Sequence, residues 1–201
     1  MHTVRPPLPA ENNIVSELVL QSDCGMLPAL FGDTVKALIS HLQAMPPNPY
    51  SAANTLVILN EKRFQSVEGA LIGSVAHVIR RTNVRTAALL FGWYGPRVFA
   101  RLPRLARAGK ALDALEPADY YLSHIAVLAE HRGHGIGKEL LTAGEERARQ
   151  QGARRLVLDV EEHNTAACSF YDRLGYRPAS AIRIDLGAPG TFCFRRMLKS
   201  L

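Results

Sequence analysis

Apolar residues in the N-terminal half of the chain recur with spacings that are typical of both strands and helices. Gly69 and Gly73 interrupt one strand-like run, where we expect them to mark β-bulges. Pro46 and Pro47 must end the helix before them, because proline cannot continue the helical hydrogen-bond pattern. The predicted elements of this half are a short strand over residues 14–20, a helix over 27–45 with Asp33 or Thr34 capping its second part, a surface connection over 46–53, and an antiparallel hairpin of strands 55–60 and 67–78.

The C-terminal half alternates strand patterns with helix patterns. Gly152 and Gly175 each stand where a left-handed residue commonly ends a helix, and Asn164 is a natural N-cap. The order strand, helix, strand, helix implies a parallel strand pair joined by a right-handed crossover. The predicted elements are strands over residues 120–128 and 154–160, helices over 138–151 and 165–174, and a closing pair of strands over 180–186 and 191–198 around a turn at 187–190.

Residues 80–115 lie between the two halves and combine helical apolar spacing with many arginines. Interruptions by proline and glycine predict two or more short helices. The basic residues raise the question of contact with a membrane surface or with nucleic acid. Because no aromatic stacking platform is interleaved with the basic positions, we favour a solvated helix face, with Trp93 and Tyr94 as packing residues.

The composition limits the class of protein. Of the 201 residues, 47% are hydrophobic, which is enough for one domain, 1–201, with a proper core. The formal net charge of +6 favours anionic ligands without choosing among them. The three cysteines lack metal-ligand spacing, so we predict neither a disulfide framework nor a metal site. Residues 1–13 form a polar tail without the apolar core of a signal peptide, and no run reaches membrane-spanning length, so we expect a cytoplasmic protein.

A glycine turn between a predicted strand and a predicted helix is the first candidate for ligand binding. It carries Gly133, Gly135 and Gly137 within five residues, with Arg132 and Lys138 on either side. The first amides of a helix lack acceptors within the helix, and their dipoles favour negative charge. The turn therefore predicts an anion site suited to phosphate, although such a turn alone does not name the ligand.

Two separated motifs resemble those of the GNAT superfamily of N-acetyltransferases. The first follows Ile125-Ala126-Val127 and fits the family pattern Arg/Gln-x-x-Gly-x-Gly/Ala through Arg132, Gly135 and Gly137. The second is Asn164-Thr165-Ala166-Ala167-Cys168-Ser169-Phe170-Tyr171, continued by Leu174-Gly175-Tyr176-Arg177. The resemblance implies an α/β (α+β) fold with a central, mixed and strongly twisted β-sheet flanked by helices. Residues 119–185 would form its acetyl-CoA-binding half, and residues 80–115 would be a helical insertion particular to this chain.

The resemblance also implies a reaction, the direct transfer of the acetyl group of acetyl-CoA to a primary amine of a small molecule, peptide or protein. It assigns Tyr171 as the proton donor to the CoA thiolate and Asn164 as a residue that positions the cofactor. Backbone amides of the turn would hold the pyrophosphate, and we expect side chains at the turn glycines to crowd that anion. The residues implied to bind acetyl-CoA are Ile125, Ala126, Val127, Arg132, Gly133, His134, Gly135, Ile136, Gly137, Lys138, Asn164, Ala167 and Tyr171.

The sequence does not identify the general base. Tyr121 and Ser123 stand where several family members carry Glu or His, and we keep Ser123 as a catalytic candidate that could hold a water. Strand alternation points His124 to the opposite face unless a bulge intervenes, which favours a structural role. The other candidates for the base are Asp119, Glu161 and Glu162.

The acceptor and the oligomeric state are also left open, and a homodimer is compatible with the sequence. Cys168 has no paired base in its motif, so we interpret it as a packing residue and not as a nucleophile. The missing carboxylate on the first parallel strand keeps a second hypothesis open, in which the chain is a non-catalytic acyl-CoA-binding regulatory module of the same fold.

Overall fold

The computed structural model describes residues 2–45, 48–61, 66–76, 88 and 90–201. Within these residues, seven strands form one mixed sheet and helices cover both of its faces. The strands are β1 His2–Arg5, β2 Thr55–Asn60, β3 Ser66–Val75, β4 Asp119–Val127, β5 Arg155–Glu161, β6 Arg177–Asp185 and β7 Thr191–Ser200. The helices are α1 Asn12–Ser22, α2 Met26–Phe31, α3 Val35–Ala44, α4 Leu102–Asp113, α5 Ile136–Gln150 and α6 Thr165–Arg173.

The strands are ordered β1-β2-β3-β4-β5-β7-β6 across the sheet. The central pair β4 and β5 is parallel, and the other neighbouring pairs are antiparallel. The structure therefore confirms the predicted hairpin, the parallel pair and the closing pair of strands. It also confirms a mixed α/β sheet flanked by helices.

Apolar residues on the two faces of the sheet form two separate core clusters. On one face, Ile58 and Leu71 pack with Leu140 of α5 and with α6. On the other face, Val57 and Ile72 pack with α1 and α3. Because successive strand residues point to opposite faces, strands covered on both sides are buried along nearly their whole length, as β2 and β3 are.

The expected strand over residues 14–20 is wrong, because these residues belong to helix α1. Val15, Leu18 and Val19 are buried at intervals of three and four residues and face the sheet. Ser16 and Glu17 interrupt the apolar residues of this stretch, and so short a pattern did not distinguish a strand from one face of a helix.

Residue 1 of the predicted tail lies outside the described residues, and residues 2–13 are not a tail. His2–Arg5 form edge strand β1, which pairs antiparallel with β2, and Arg5 makes an ion pair with Glu11 at 2.7 Å. A four-residue strand is too short to show a periodicity, and its stability comes from hydrogen bonds to residues more than 50 positions away.

The helix predicted over residues 27–45 is two helices. Gly32 has a φ of 73° and separates α2 from α3, with Thr34 at the N-cap position of α3 but without a side-chain capping bond. Of the predicted connection over 46–53, residues 46 and 47 lie outside the described residues. Asn48 and Ser51 are buried, so this connection is not confined to the surface.

The segment over residues 80–115 is helical where it is described, as predicted. Residues 80–87 and 89 lie outside the described residues, residues 90–94 are helical, and a 3-10 turn over Gly95–Arg101 leads into α4. Tyr94 is a packing residue, because its hydroxyl donates to the carbonyl of Phe31 at 2.8 Å and Arg101 stacks over its ring. Trp93 packs on His41 but remains 37% exposed.

Candidate active site

The parallel strands β4 and β5 separate at their carboxyl ends. They pair from Asp119 with Arg155 as far as Leu122 with Leu158. Beyond that point, residues 124–127 pair with β3 and residues 159–161 pair with β7. A cavity of about 580 Å³ lies at this opening and is lined by residues of both strands. The separation leaves one edge of β4 without a strand partner, so backbone groups on that edge are available to a ligand.

A network of three side chains spans the two strands where they part. Arg196 of β7 donates to both carboxylate oxygens of Asp159 at 2.8 Å, and the Tyr121 hydroxyl donates to the same carboxylate at 3.0 Å. Burial, followed by the charge of Asp159, raises the pKa of Tyr121 well above its ordinary value, so Tyr121 remains a hydrogen-bond donor. The charge of Asp159 is therefore compensated within the protein.

A β-bulge changes the expected orientation of His124. Leu122 pairs with Gly73 and His124 pairs with Ile72, which leaves Ser123 as an extra residue in β4. The bulge resets the side-chain alternation, and the ring of His124 lines the cavity. The interpretation of His124 as a residue of the opposite face is thus wrong, because an antiparallel register shift breaks the period of two.

Two hydroxyl groups hold the His124 ring. Its Nδ1 lies 3.1 Å from Ser22 Oγ and its Nε2 lies 3.3 Å from the Tyr50 hydroxyl. Burial lowers the pKa of His124 to about 4. The imidazole is therefore neutral near pH 7, where one ring nitrogen donates a hydrogen bond and the other accepts one.

The glycine turn has the geometry of an anion site. Gly133 and Gly135 have φ values of 81° and 84°, a left-handed conformation that side chains other than glycine rarely adopt. Helix α5 follows Gly135, and among the described residues the amides of residues 133–137 have no hydrogen-bond acceptor. Arg132 lines the cavity beside them and donates through Nε to the carbonyl of Val127. Free amides and an adjacent guanidinium fit a pyrophosphate group.

The backbone conformation gives a reason for two of the turn glycines apart from any crowding of a bound anion. Gly133 and Gly135 have positive φ, and a Cβ at either position would meet no protein heavy atom within 4 Å. A Cβ at Gly137 would approach the Phe170 ring at 3.4 Å, which links α5 to α6.

Helix α6 brings the second motif to the cavity. Asn164 caps the helix, because its side-chain oxygen accepts from the amide of Ala167 at 3.0 Å. Tyr171 lies two turns further on, is 7% exposed and packs between Phe170 and Tyr176. Burial raises the pKa of Tyr171, and its hydroxyl has no hydrogen-bond partner among the described residues. Cys168 packs in the core on the same helix, as its interpretation as a packing residue requires.

The cavity brings together most of the side chains named from the sequence. Those that line it are Ser123, Ile125, Ala126, Val127, Arg132, Asn164, Ala167 and Tyr171. The other turn residues, Gly133 to Lys138, follow Arg132 in the sequence and do not line the cavity. Among the candidate bases, Glu161 lines the cavity, whereas Glu162 does not. Asp119 is buried in an ion pair with Arg155 at 2.7 Å, at the opposite end of the strands.

Sequence reasoning missed the wall of the cavity that faces Tyr171 and β4. This wall contains Asp23 and Cys24 from the α1–α2 junction, Tyr50, and residues of α2 and α4. Burial, then the charge of Asp23, raises the pKa of Cys24 to about 11, so it is a thiol at neutral pH. Asp23 precedes a helix, so the sequence could have indicated it as a capping residue. Its position in the cavity wall depends on contacts between segments that are distant in sequence.

Two kinds of feature, a metal-binding cluster and a membrane-spanning helix, are absent from the part of the chain that the structure describes. No group of three or more His, Cys, Asp or Glu side chains there is arranged to hold a metal ion. None of the helices there combines the length and apolarity needed to cross a bilayer.

Comparison with known proteins agrees with this architecture. The chain is 41% identical over 79 residues to N-alpha-acetyltransferase 30 of Schizosaccharomyces pombe, which covers 39% of this chain and 51% of that protein. It is 40% identical over 52 residues to a mycothiol acetyltransferase of Corynebacterium aurimucosum, covering 26% of this chain and 17% of that protein. The chain thus matches about half or less of the length of these curated relatives.

A solved structure matches over nearly the whole chain. An N-acetyltransferase from Staphylococcus aureus Mu50 aligns with a TM-score of 0.72 at 18% identity, over 98% of this chain and all of that one, and this likeness shows the fold. The model of the acetyltransferase (GNAT) family matches residues 63–176, which is more than half of the sequence and includes both motifs. The chain therefore belongs to the GNAT family of acetyltransferases.

Proposed function

We propose that this protein is an N-acetyltransferase that uses acetyl-CoA and transfers the acetyl group directly to a primary amine of a small molecule or peptide. The observation that carries the proposal is the cavity between β4 and β5, which joins the turn at Arg132 to the Tyr171 hydroxyl. Acetyl-CoA supplies the acetyl group as an activated thioester. The residues of the chain bind the donor, orient the amine and move protons.

The turn and β4 account for binding of the donor. The free amides of residues 133–137 and the guanidinium of Arg132 hold the pyrophosphate. The unpaired edge of β4 at Ile125, Ala126 and Val127 offers backbone groups to the extended arm of CoA, as an added strand would use them. The cap formed by Asn164 fixes the start of α6 and thereby the position of Tyr171.

Tyr171 is the proton donor in this proposal. Its raised pKa keeps the phenol protonated at neutral pH, and its hydroxyl has no competing partner among the described residues. An ordinary thiol ionises near pH 8.5, so the departing thiolate is a good acceptor for this hydrogen bond.

Proton removal from the amine falls to Glu161 or to a water held by Ser123. Glu161 is the candidate carboxylate from the sequence that lines the cavity. Ser123 donates to the carbonyl of Ile72 at 3.3 Å and retains lone pairs that can accept from a water. His124 is a poor base for an alkylammonium ion, because its pKa is lowered to about 4.

The names of the relatives differ, one being an N-alpha-acetyltransferase and another a mycothiol acetyltransferase. A panel of polyamines, arylalkylamines, amino acids and peptide N-termini, with release of CoA thiol as the readout, therefore tests the proposal. We expect thiol release that requires both substrates and gives intersecting initial-rate patterns. Parallel patterns would point to an acyl-enzyme, and a lack of release with every amine would contradict the proposed activity.

A further inference from the structure

The part of the cavity that faces away from the glycine turn is acidic, although the chain carries a net charge of +6. Asp23, at the α1–α2 junction, and Glu161, at the end of β5, both line it. Among the described residues that line the cavity, the one cation is Arg132, which belongs to the turn at the other side. The Asp159 carboxylate, also in the lining, is neutralised by Arg196.

The Asp23 carboxylate is held in place but not neutralised. Its Oδ2 accepts from the amides of Gly25 at 2.8 Å and Leu27 at 3.0 Å. Neither Asp23 nor Glu161 has an ion-pair partner among the described residues. Burial and then the charge of Glu161 raise the pKa of Asp23, which is the effect expected where a cation is missing.

A second observation at the same cavity also calls for a ligand. Tyr171 is 7% exposed, lines the cavity and has no partner for its hydroxyl among the described residues. A hydroxyl group that lines a cavity without a protein partner can donate a hydrogen bond to a bound molecule and accept one from it.

The remaining wall of this part of the cavity is apolar. Met26 and Leu30 come from α2, Leu105 and Ala108 come from α4, and Phe194 comes from β7. These side chains pack together in one cluster. Helix α4 lies within residues 80–115, which the family resemblance implies to be an insertion, and it supplies part of the apolar wall beside the two carboxylates.

We propose, resting on the acetyltransferase function above, that the acceptor is an amine with one cationic end and an apolar body. Asp23 and Glu161 bind its ammonium group, and the α2–α4 wall binds the apolar part. A polyamine lacks the apolar body, and an uncharged molecule of the same shape lacks the ammonium group. The proposal therefore ranks ligands by two separate features.

Calorimetric titration of the full chain with CoA present tests this ranking without requiring turnover. The probes are 2-phenylethylamine, 2-phenylethanol with the same body but no charge, methylamine with the charge but no body, and 1,4-diaminobutane with two charges. We expect 2-phenylethylamine to bind at least about tenfold more tightly than each of the others. A hydrogen bond to a charged group and the burial of an aromatic ring can each contribute a tenfold gain in affinity. Equal or tighter binding of 1,4-diaminobutane or 2-phenylethanol would overturn the proposal.

Matched variants assign the binding to the named residues. Asp23→Asn keeps an oxygen for the two amides of the α2 turn, so the fold is preserved while the charge is lost. We expect Asp23→Asn and Glu161→Gln each to weaken 2-phenylethylamine about tenfold, and Glu162→Gln, next in sequence but outside the lining, to change it less than twofold. Leu105→Ala should weaken 2-phenylethylamine but leave methylamine unchanged.

The outcomes separate this proposal from the function on which it rests. Amine binding with the expected ranking, but without thiol release from acetyl-CoA, would contradict the acetyltransferase activity alone. Acetyl transfer with amine affinities that Asp23→Asn and Glu161→Gln leave unchanged would overturn the acceptor site alone, as would a failure of 2-phenylethylamine to bind.

Discussion

Arg196 and Asp159 form a buried two-point ion pair where β4 and β5 separate. The guanidinium donates to both carboxylate oxygens at 2.8 Å, and the two side chains are 6% and 8% exposed. Asp159 follows Leu158, the last residue of β5 that pairs with β4. The pair therefore holds β5 to β7 at the point where the cavity opens, which favours an opening that exists before any ligand binds.

Replacing one partner of this pair should destabilise the fold strongly. Arg196→Ala leaves the Asp159 charge buried without compensation, and we expect it to lower the free energy of unfolding by about 3–5 kcal/mol. Denaturation by urea measures the change. The double variant Asp159→Leu with Arg196→Met removes both charges and should recover most of the loss. A double variant as unstable as Arg196→Ala would show that the ion pair is not the cause.

Tyr171→Phe should separate chemistry from folding. As the loss of a proton donor, it should lower kcat about 100-fold or more, with the KM for acetyl-CoA changed less than twofold. Its melting temperature should stay close to that of the wild type, because the hydroxyl has no partner to lose among the described residues. Tyr176→Phe is the matched control, since the buried Tyr176 hydroxyl lacks a partner among the described residues but does not line the cavity, and it should leave kcat unchanged. Equal kcat in both variants would contradict the donor role.

Gly135→Ala should weaken both the fold and CoA binding. The φ of 84° is costly for a residue with a Cβ, by about 1–2 kcal/mol, although open space surrounds the position. Thermal denaturation and calorimetric titration with CoA measure the two effects. Gly92→Ala is the control, because Gly92 does not line the cavity, its Cβ would meet nothing within 4 Å and its backbone is helical. It should stabilise the protein by about 0.5–1 kcal/mol.

His124 should make stability fall in mild acid. Its pKa is about 4 in the folded protein and near 6.5 when exposed, so the unfolded chain binds a proton between these values that the folded chain does not. The unfolding free energy should therefore fall as the pH drops from about 6.5 toward 4, by at most about 1.4 kcal/mol per pH unit. Urea denaturation at pH 7, 6 and 5 should show this slope reduced in His124→Asn. The exposed His163→Asn should keep the wild-type slope, and equal slopes in all three proteins would refute the assignment.

Local patterns were sufficient for the half of the fold that carries the motifs. Strands β4 and β5, helices α5 and α6, and the caps at Gly135, Gly152 and Asn164 depend on residues within a few positions of one another. Such features leave a period, a glycine or a capping side chain in the sequence. The N-terminal half was predicted less well. The apolar positions of α1 fit both a strand and a helix, and β1 is recognised only by its pairing with β2.

The sequence by itself determined the glycine turn that we propose as the anion site and the helix that carries Tyr171, because both follow from local residue patterns. Only the tertiary structure decided what lines the proposed acceptor site. The bulge at Ser123, which turns His124 toward the cavity, arises from the register between β4 and β3. The residues of one strand alone do not specify that register. Asp23, Glu161 and the wall of α4 meet at the cavity although they lie far apart in sequence. Charges and apolar surfaces that come from distant segments have no fixed spacing in the sequence. They are brought together only when the elements pack against one another.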